Sequence, residues 1–209
     1  MSEEKKFITK KITDREIAIA TKFAEERYEK SKVQYMRRRQ FNETKVKYDI
    51  MIGALGEIGA YKMLKKDYGI GVCKPDFEIY EVRNKSFDAD LTDDKGRKYH
   101  CKSQSMESSS KYGRSYILQW GGQGRGHTDK LFKNTDNNDY LIPTEVDVEK
   151  KEVRIFGCYK VKTIMDEGFV KPPKVKWLED TKRAIYLKDI ENMPYNNHKK
   201  PTDAHGLVG

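Results

Sequence analysis

The chain has 209 residues and a net charge of +9, with 36% hydrophobic and 36% charged residues, an isoelectric point near 9.2 and a mean hydropathy of -0.90. That length suits one domain with a real core. No run approaches the roughly 20 apolar residues that a membrane-spanning helix needs, and the charged first eleven residues lack the apolar centre of a signal peptide, so a cytoplasmic protein is expected.

Cys73, Cys101 and Cys158 are odd in number and show no paired spacing, which supports neither a disulfide framework nor a zinc ribbon. They are expected to be reduced, structural and buried. The basic excess favours a polyanionic partner, because basic patches gain affinity by releasing counterions from phosphates.

Residues 1–11 read as a basic flexible arm. Thr13-Asp14-Arg15-Glu16 matches a capping box, and Ile17, Ala20, Phe23, Ala24 and Tyr28 follow at helical spacing, predicting a first amphipathic helix to about residue 38. Its end carries Arg37, Arg38 and Arg39, which read either as a phosphate-contacting patch or as a solvated helix face. Asn42 can cap a second helix with a broad apolar face formed by Ile50, Met51, Ala54, Leu55, Ile58, Tyr61 and Leu64. Gly53, Gly56 and Gly59 interrupt this helix at about 1 kcal/mol each relative to alanine. Their spacing is understandable if the helix backbone must approach a sheet or another backbone closely.

After Gly69-Ile70-Gly71 the period shortens, and strands are expected at residues 77–82, 86–91, 97–104, 115–120, 139–146 and 152–159. Asp93-Asp94-Lys95-Gly96 supplies turn chemistry between the second and third, and Glu149-Lys150-Lys151 a tight hairpin between the last two. A helix at 160–167, a Pro172-Pro173 loop, a strand at 184–187 and a loose tail at 196–209 complete the chain. The order predicts one mixed α/β domain over 12–195.

Chemistry-bearing residues cluster in the third strand. His100 and Lys102 share one face and Cys101 points the other way, with Asp90 ten residues upstream of His100 and Glu57 on the glycine-rich helix. Two acids and a lysine are the parts needed to hold a divalent cation and activate water against phosphate. Asp88 shares the strand face of Asp90 and competes with it as a ligand. Gln119-Trp120-Gly121-Gly122-Gln123-Gly124-Arg125-Gly126-His127 is the other distinctive stretch. It reads as a nucleic-acid contact through Gln119, Gln123, Arg125 and His127, or as a plain flexible loop, with His127 alternatively opening a helix over 127–133. It lacks the lysine and hydroxyl of a nucleotide-binding P-loop.

The segment from Asp90 to Ser103 resembles the catalytic hairpin of the PD-(D/E)XK nucleases, and Gly53-Ala54-Leu55-Gly56-Glu57 resembles the helix that precedes it in many members. The hairpin running from Tyr140 to Tyr159 is similar to the continuation in phage-type members, so the likeness covers roughly residues 50–160. It implies a restriction-endonuclease-like core, a central mixed β-sheet flanked by helices with an N-terminal helical extension, and a catalytic region over about 43–160. The activity it implies is metal-dependent DNA hydrolysis in the cytoplasm of a phage host or bacterium, with a homodimer open because cutting both strands often uses two copies of one site. The resemblance assigns Asp90 as principal ligand of Mg²⁺ (alternatively Mn²⁺), Glu57 as accessory acid, Lys102 as the water-orienting lysine and Gln104 as an auxiliary polar group, and the Cys101 carbonyl, between His100 and Lys102 on the strand, remains available as a further oxygen ligand. His100 stands where the family has an acid. Either Glu57 replaces that carboxylate, or the site prefers another metal, or the chain is an inactive DNA-binding protein.

Overall fold

Thr13 and Glu16 cap each other as their spacing predicts. In the computed structural model, which describes residues 7–37, 40–79, 89–121, 129, 131, 138–191 and 193, Thr13 N donates to Glu16 Oε2 at 2.8 Å and Glu16 N to Thr13 Oγ1 at 3.2 Å. This box opens α1 (Asp14–Arg37), which buries Ala20, Ala24 and Tyr28 at four-residue intervals. Asn42 Oδ1 accepts from Lys45 N at 3.0 Å and opens α2 (Glu43–Lys62), which packs along α1 and ends in a π-helical turn at Met63–Asp67. No helix among the described residues is long and apolar enough to cross a membrane.

The architecture is α/β, with a mixed sheet flanked by helices and an N-terminal helical segment. The main sheet runs β1 (Ile8–Lys11), β6 (Glu152–Ile155), β5 (Asp139–Asp147), β3 (Lys98–Ser105), β2 (Leu91–Thr92), and β7 (Tyr159–Lys160) pairs with the start of β5. Among the described residues only β3 and β5 pair in parallel. Their crossover passes through α3 (Met106–Tyr112) and β4 (Ser115–Gln119). β4 joins β9 (Lys182–Tyr186) and β8 (Val170–Lys171) in a second, three-stranded sheet, and α4 (Val161–Asp166) and α5 (Leu187–Ile190) complete that side.

Alternation along the strands divides two cores. Tyr99, Cys101, Ile142, Val146, Val153 and Ile155 meet Leu55, Ile58 and Ala60 of α2, whereas Leu141, Phe156 and Tyr159 meet Tyr116, Leu118 and Ile185 of the second sheet. On the α2 side the approach is very close. A Cβ at Gly59 would lie 2.5 Å from Val153 Cγ1, and one at Gly56 would overlap Ser103 Oγ and lie 2.6 Å from Thr144 Oγ1. Gly53 has nothing within 4 Å. The expectation of close approach therefore holds at two of the three glycines, because a step of three residues turns about 60° short of a full circle and carries Gly53 off the contact line.

Several expectations are corrected. The supposed arm contributes β1, whose residues Ile8–Lys11 pair with β6, and Phe7 meets Phe156 edge to face at 5.9 Å between ring centroids; Ile8 and Lys10 face inward and Thr9 and Lys11 outward, and the two lysines suit a strand at the end of the sheet order. Among the described residues of the strand expected at 86–91, pairing begins only at Leu91, and residues 77–79 are in no strand. The strand expected at 152–159 is broken after Ile155, where Gly157 has φ 128°. Cys73 is exposed, whereas Cys101 and Cys158 are buried thiols. The helix α3, unforeseen among serines, starts where Ser105 Oγ accepts from Ser108 N at 3.2 Å. The first residues of the chain and the tail at 196–209 lie outside the described residues.

Candidate active site

Turn chemistry sets the register of the hairpin that carries Asp90 and Lys102. Gly96 takes φ 74°, and Asp93 gathers four donors: Lys95 N at 3.0 Å, Arg97 N at 2.9 Å, Arg97 Nε at 2.6 Å and Tyr99 Oη at 2.9 Å. The resulting register pairs Leu91 with Tyr99 and Thr92 with Lys98, and β2 then stops. Asp90 leaves the ladder, and its side chain takes over where the backbone no longer bonds: Oδ2 accepts from Cys101 N at 2.7 Å. In an extended strand one residue's N–H and C=O point to the same side. The Cys101 carbonyl therefore faces the same open edge of β3 as Asp90.

Three elements bring charge to this edge. Asp90 is solvent-exposed on one side, yet desolvation is the largest influence on its carboxyl and raises its pKa, against Lys102, the Cys101 amide and His100, which favour the charged form. Glu57, half-buried on α2, is pushed well above the usual glutamate value by burial and then by the charge of Asp90, with Lys102 and Arg27 acting in the opposite direction. Its carboxylate accepts no hydrogen bond from a described residue. Lys102 lies on the face away from α2; burial would depress its pKa, but Asp129 and Asp90 outweigh it and hold the ammonium charged. Lys102 Nζ lies 2.9 Å from Asp129 Oδ2.

The other expected residues divide. His100 is not turned to a ligand position beside Asp90 but has Nε2 2.7 Å from Oδ1 of Asp139, which is 1% exposed. Gln104 is buried and spent on structure: Nε2 donates to Ser108 Oγ and to Gly113 O at 3.2 Å each, and Oε1 accepts from Ser115 N at 3.1 Å, fastening α3 to β4. Gln119 is likewise held, with Nε2 donating to Thr181 O at 3.3 Å and Oε1 accepting from Lys182. Arg37 is exposed at the end of α1. Asp88, Arg38, Arg39, Gln123, Arg125 and His127 lie outside the described residues, as do most of the helix expected over 127–133 and most of the glycine-rich loop.

Two aspartates were missed by reading the sequence. Asp129 follows the glycine-rich stretch in sequence and is held at the end of β4, its N bonded to Gln119 O at 2.8 Å. Asp139 begins β5, and its partnership with His100 follows from the parallel register that sets Lys98 opposite Asp139. Neither carries a local signal. Among the described residues, no three His, Cys, Asp or Glu side chains stand close enough together to enclose a metal ion. Comparisons with family models, curated proteins and solved structures give no match for this chain.

Proposed function

We propose that the chain is a cytoplasmic, divalent-metal-dependent DNA endonuclease. What supports this reading is Asp90, bonded through Oδ2 to the Cys101 amide at the open edge of β3, with Glu57 of α2 and Lys102 of β3 within reach of its charge and the Glu57 carboxyl raised by burial and by that charge. A charged group without a matching partner costs stability, and such costs concentrate where a ligand or a reaction relieves them.

The donor set fits Mg²⁺, with Mn²⁺ as the alternative. Two carboxylates and the Cys101 carbonyl are hard oxygen donors, and Mg²⁺ is commonly held by one or two carboxylates with water and phosphate filling the remainder. When bound, the cation would neutralise phosphate charge and acidify a water. Asp90 and Glu57 would hold it, and its positive charge would offset the desolvation that raises both their pKa values and the charge of Asp90 felt by Glu57. Lys102, protonated, can donate to the attacking water or to a phosphate oxygen. The basic balance of the chain, +9 overall, favours a DNA backbone as substrate. Recruitment of a second copy would allow both strands to be cut.

The test is incubation of the purified protein with supercoiled plasmid and with branched DNA in Mg²⁺ or Mn²⁺. Cleavage is expected, lost on adding a chelator and in Asp90→Ala and Lys102→Ala. Cleavage that survives both substitutions would sink the assignment. One observation favours a second reading, an inactive DNA-binding protein of the same architecture: the side chain at position 100 is an imidazole tied to Asp139, not an acid at the edge. That reading expects salt-dependent DNA binding with no metal requirement and no cleavage.

A further inference from the structure

We propose that Asp129 is a positioning residue of this site, holding the Lys102 ammonium off Asp90 so that the Asp90 carboxylate remains available to a cation. The inference rests on the nuclease reading and concerns a residue outside the hairpin that suggested it.

Lys102 has two aspartates within its field, Asp90 and Asp129. It forms its ion pair with Asp129, at 2.9 Å, and no described ion pair joins it to Asp90. A lysine next to an acid that must bind a metal is a liability, because the ammonium competes with the cation for the same carboxylate. A second acid on the far side removes that competition while leaving the lysine charged. Asp129 is built for such a role. Its backbone N is anchored to Gln119 O at 2.8 Å, and its Oδ1 accepts from the amide of buried Leu131 at 3.2 Å. Only Oδ2 is turned to Lys102. An ammonium has three donors, so the pair leaves two for water or phosphate. The charge of Asp129 also reaches Asp90.

The experiment uses the full chain with Asp129→Asn, which keeps the shape and the Leu131 contact, Asp129→Glu, Lys102→Ala and the double variant Asp129→Asn/Lys102→Ala, each checked by thermal melting. Three quantities are read: the Lys102 Nζ–H correlation by NMR, Mn²⁺ binding without DNA, and plasmid cleavage with Mn²⁺. Asp129→Asn is expected to lose the slowly exchanging Lys102 ammonium signal, to weaken Mn²⁺ binding, and to lower kcat by about tenfold to a hundredfold with KM for DNA nearly constant. Asp129→Glu should restore part of each, and the double variant should be no worse than Lys102→Ala, because the effect acts through that lysine. An unchanged Lys102 signal with unchanged Mn²⁺ binding, or additive losses in the double variant, would overturn the proposal. If the wild-type protein cleaves no DNA, the nuclease reading falls on that result, and the tether is judged by the first two measurements alone: their loss in Asp129→Asn upholds it and their persistence overturns it.

Discussion

The two ends of the β2–β3 hairpin carry aspartates three residues apart that live under opposite physics. Asp93, with its side chain fully buried, is desolvated but surrounded by Arg97, Tyr99 and two backbone amides; the bonds outweigh the burial and its pKa is lowered. Asp90, exposed at the open edge of β3, has one amide and a more distant lysine; these do not outweigh its desolvation, and its pKa is raised. A saturated acid stabilises the turn that holds it, whereas an undersaturated one stores the capacity to bind something else. The same contrast separates Glu145, buried with Ser109, Arg114 and Arg154 as partners, from Glu57, which has no such bonds among the described residues. Burial alone does not mark a functional acid. A shortage of partners does.

The sharpest way to break this contrast is to truncate each acid and read both activity and stability. Asp90→Ala and Lys102→Ala should each reduce cleavage by about a thousandfold or more while the melting temperature holds or rises. Asp93→Ala should do the reverse, costing about 3–5 kcal/mol in urea unfolding because Arg97 is left buried without its acid. Stability lost in Asp90→Ala to the same degree would erase the distinction.

A milder test lies in the helix that presents Glu57. Gly56→Ala should cost about 1–3 kcal/mol, since its Cβ must displace Ser103 and Thr144. Gly53→Ala meets open space and should gain up to about 1 kcal/mol from helix propensity. Equal effects at both positions would contradict the close approach of α2 to the sheet.

The pH dependence has a definite sign. The native protein binds protons at Glu57 and Asp90 more tightly than the unfolded chain, whose carboxyls titrate near 4.5 and 3.8, so these acids lower stability as pH rises from about 4 through their raised native values. Glu57→Gln should flatten that decline and raise the melting temperature at neutral pH. Asp93 and Glu16, with lowered values, contribute in the other direction: their stabilisation is present above the unfolded pKa and lost as pH falls through the native one. The smallest effect is at the capping box, where Thr13→Ala should cost about 1 kcal/mol in thermal unfolding.

Local chemistry made much of this legible in advance. The Thr13 and Asn42 caps, the Asp93 to Gly96 turn, the β5–β6 hairpin with Lys151 at φ 52° and the facing of Cys101 against His100 and Lys102 all depend on residues within a few positions of one another. What the pattern misjudged was long-range: β1 gains its strand character from β6, whose Ile155 lies far along the chain from its partner Ile8, and Gln104 is consumed by contacts with Ser108, Gly113 and Ser115 that exist only once α3 has formed.

The same division runs through the candidate site. Residue types and spacing by themselves determined that Glu57, Asp90 and Lys102 belong to a helix and a hairpin, because periodicity and turn chemistry are local properties. Which acid each basic side chain faces was decided by tertiary structure, through the parallel β3–β5 register that gives His100 to Asp139 and the return of the β4 connection that gives Lys102 to Asp129. Those pairings join residues 39 and 27 positions apart. Charge acts across space, and no spacing in the chain records it.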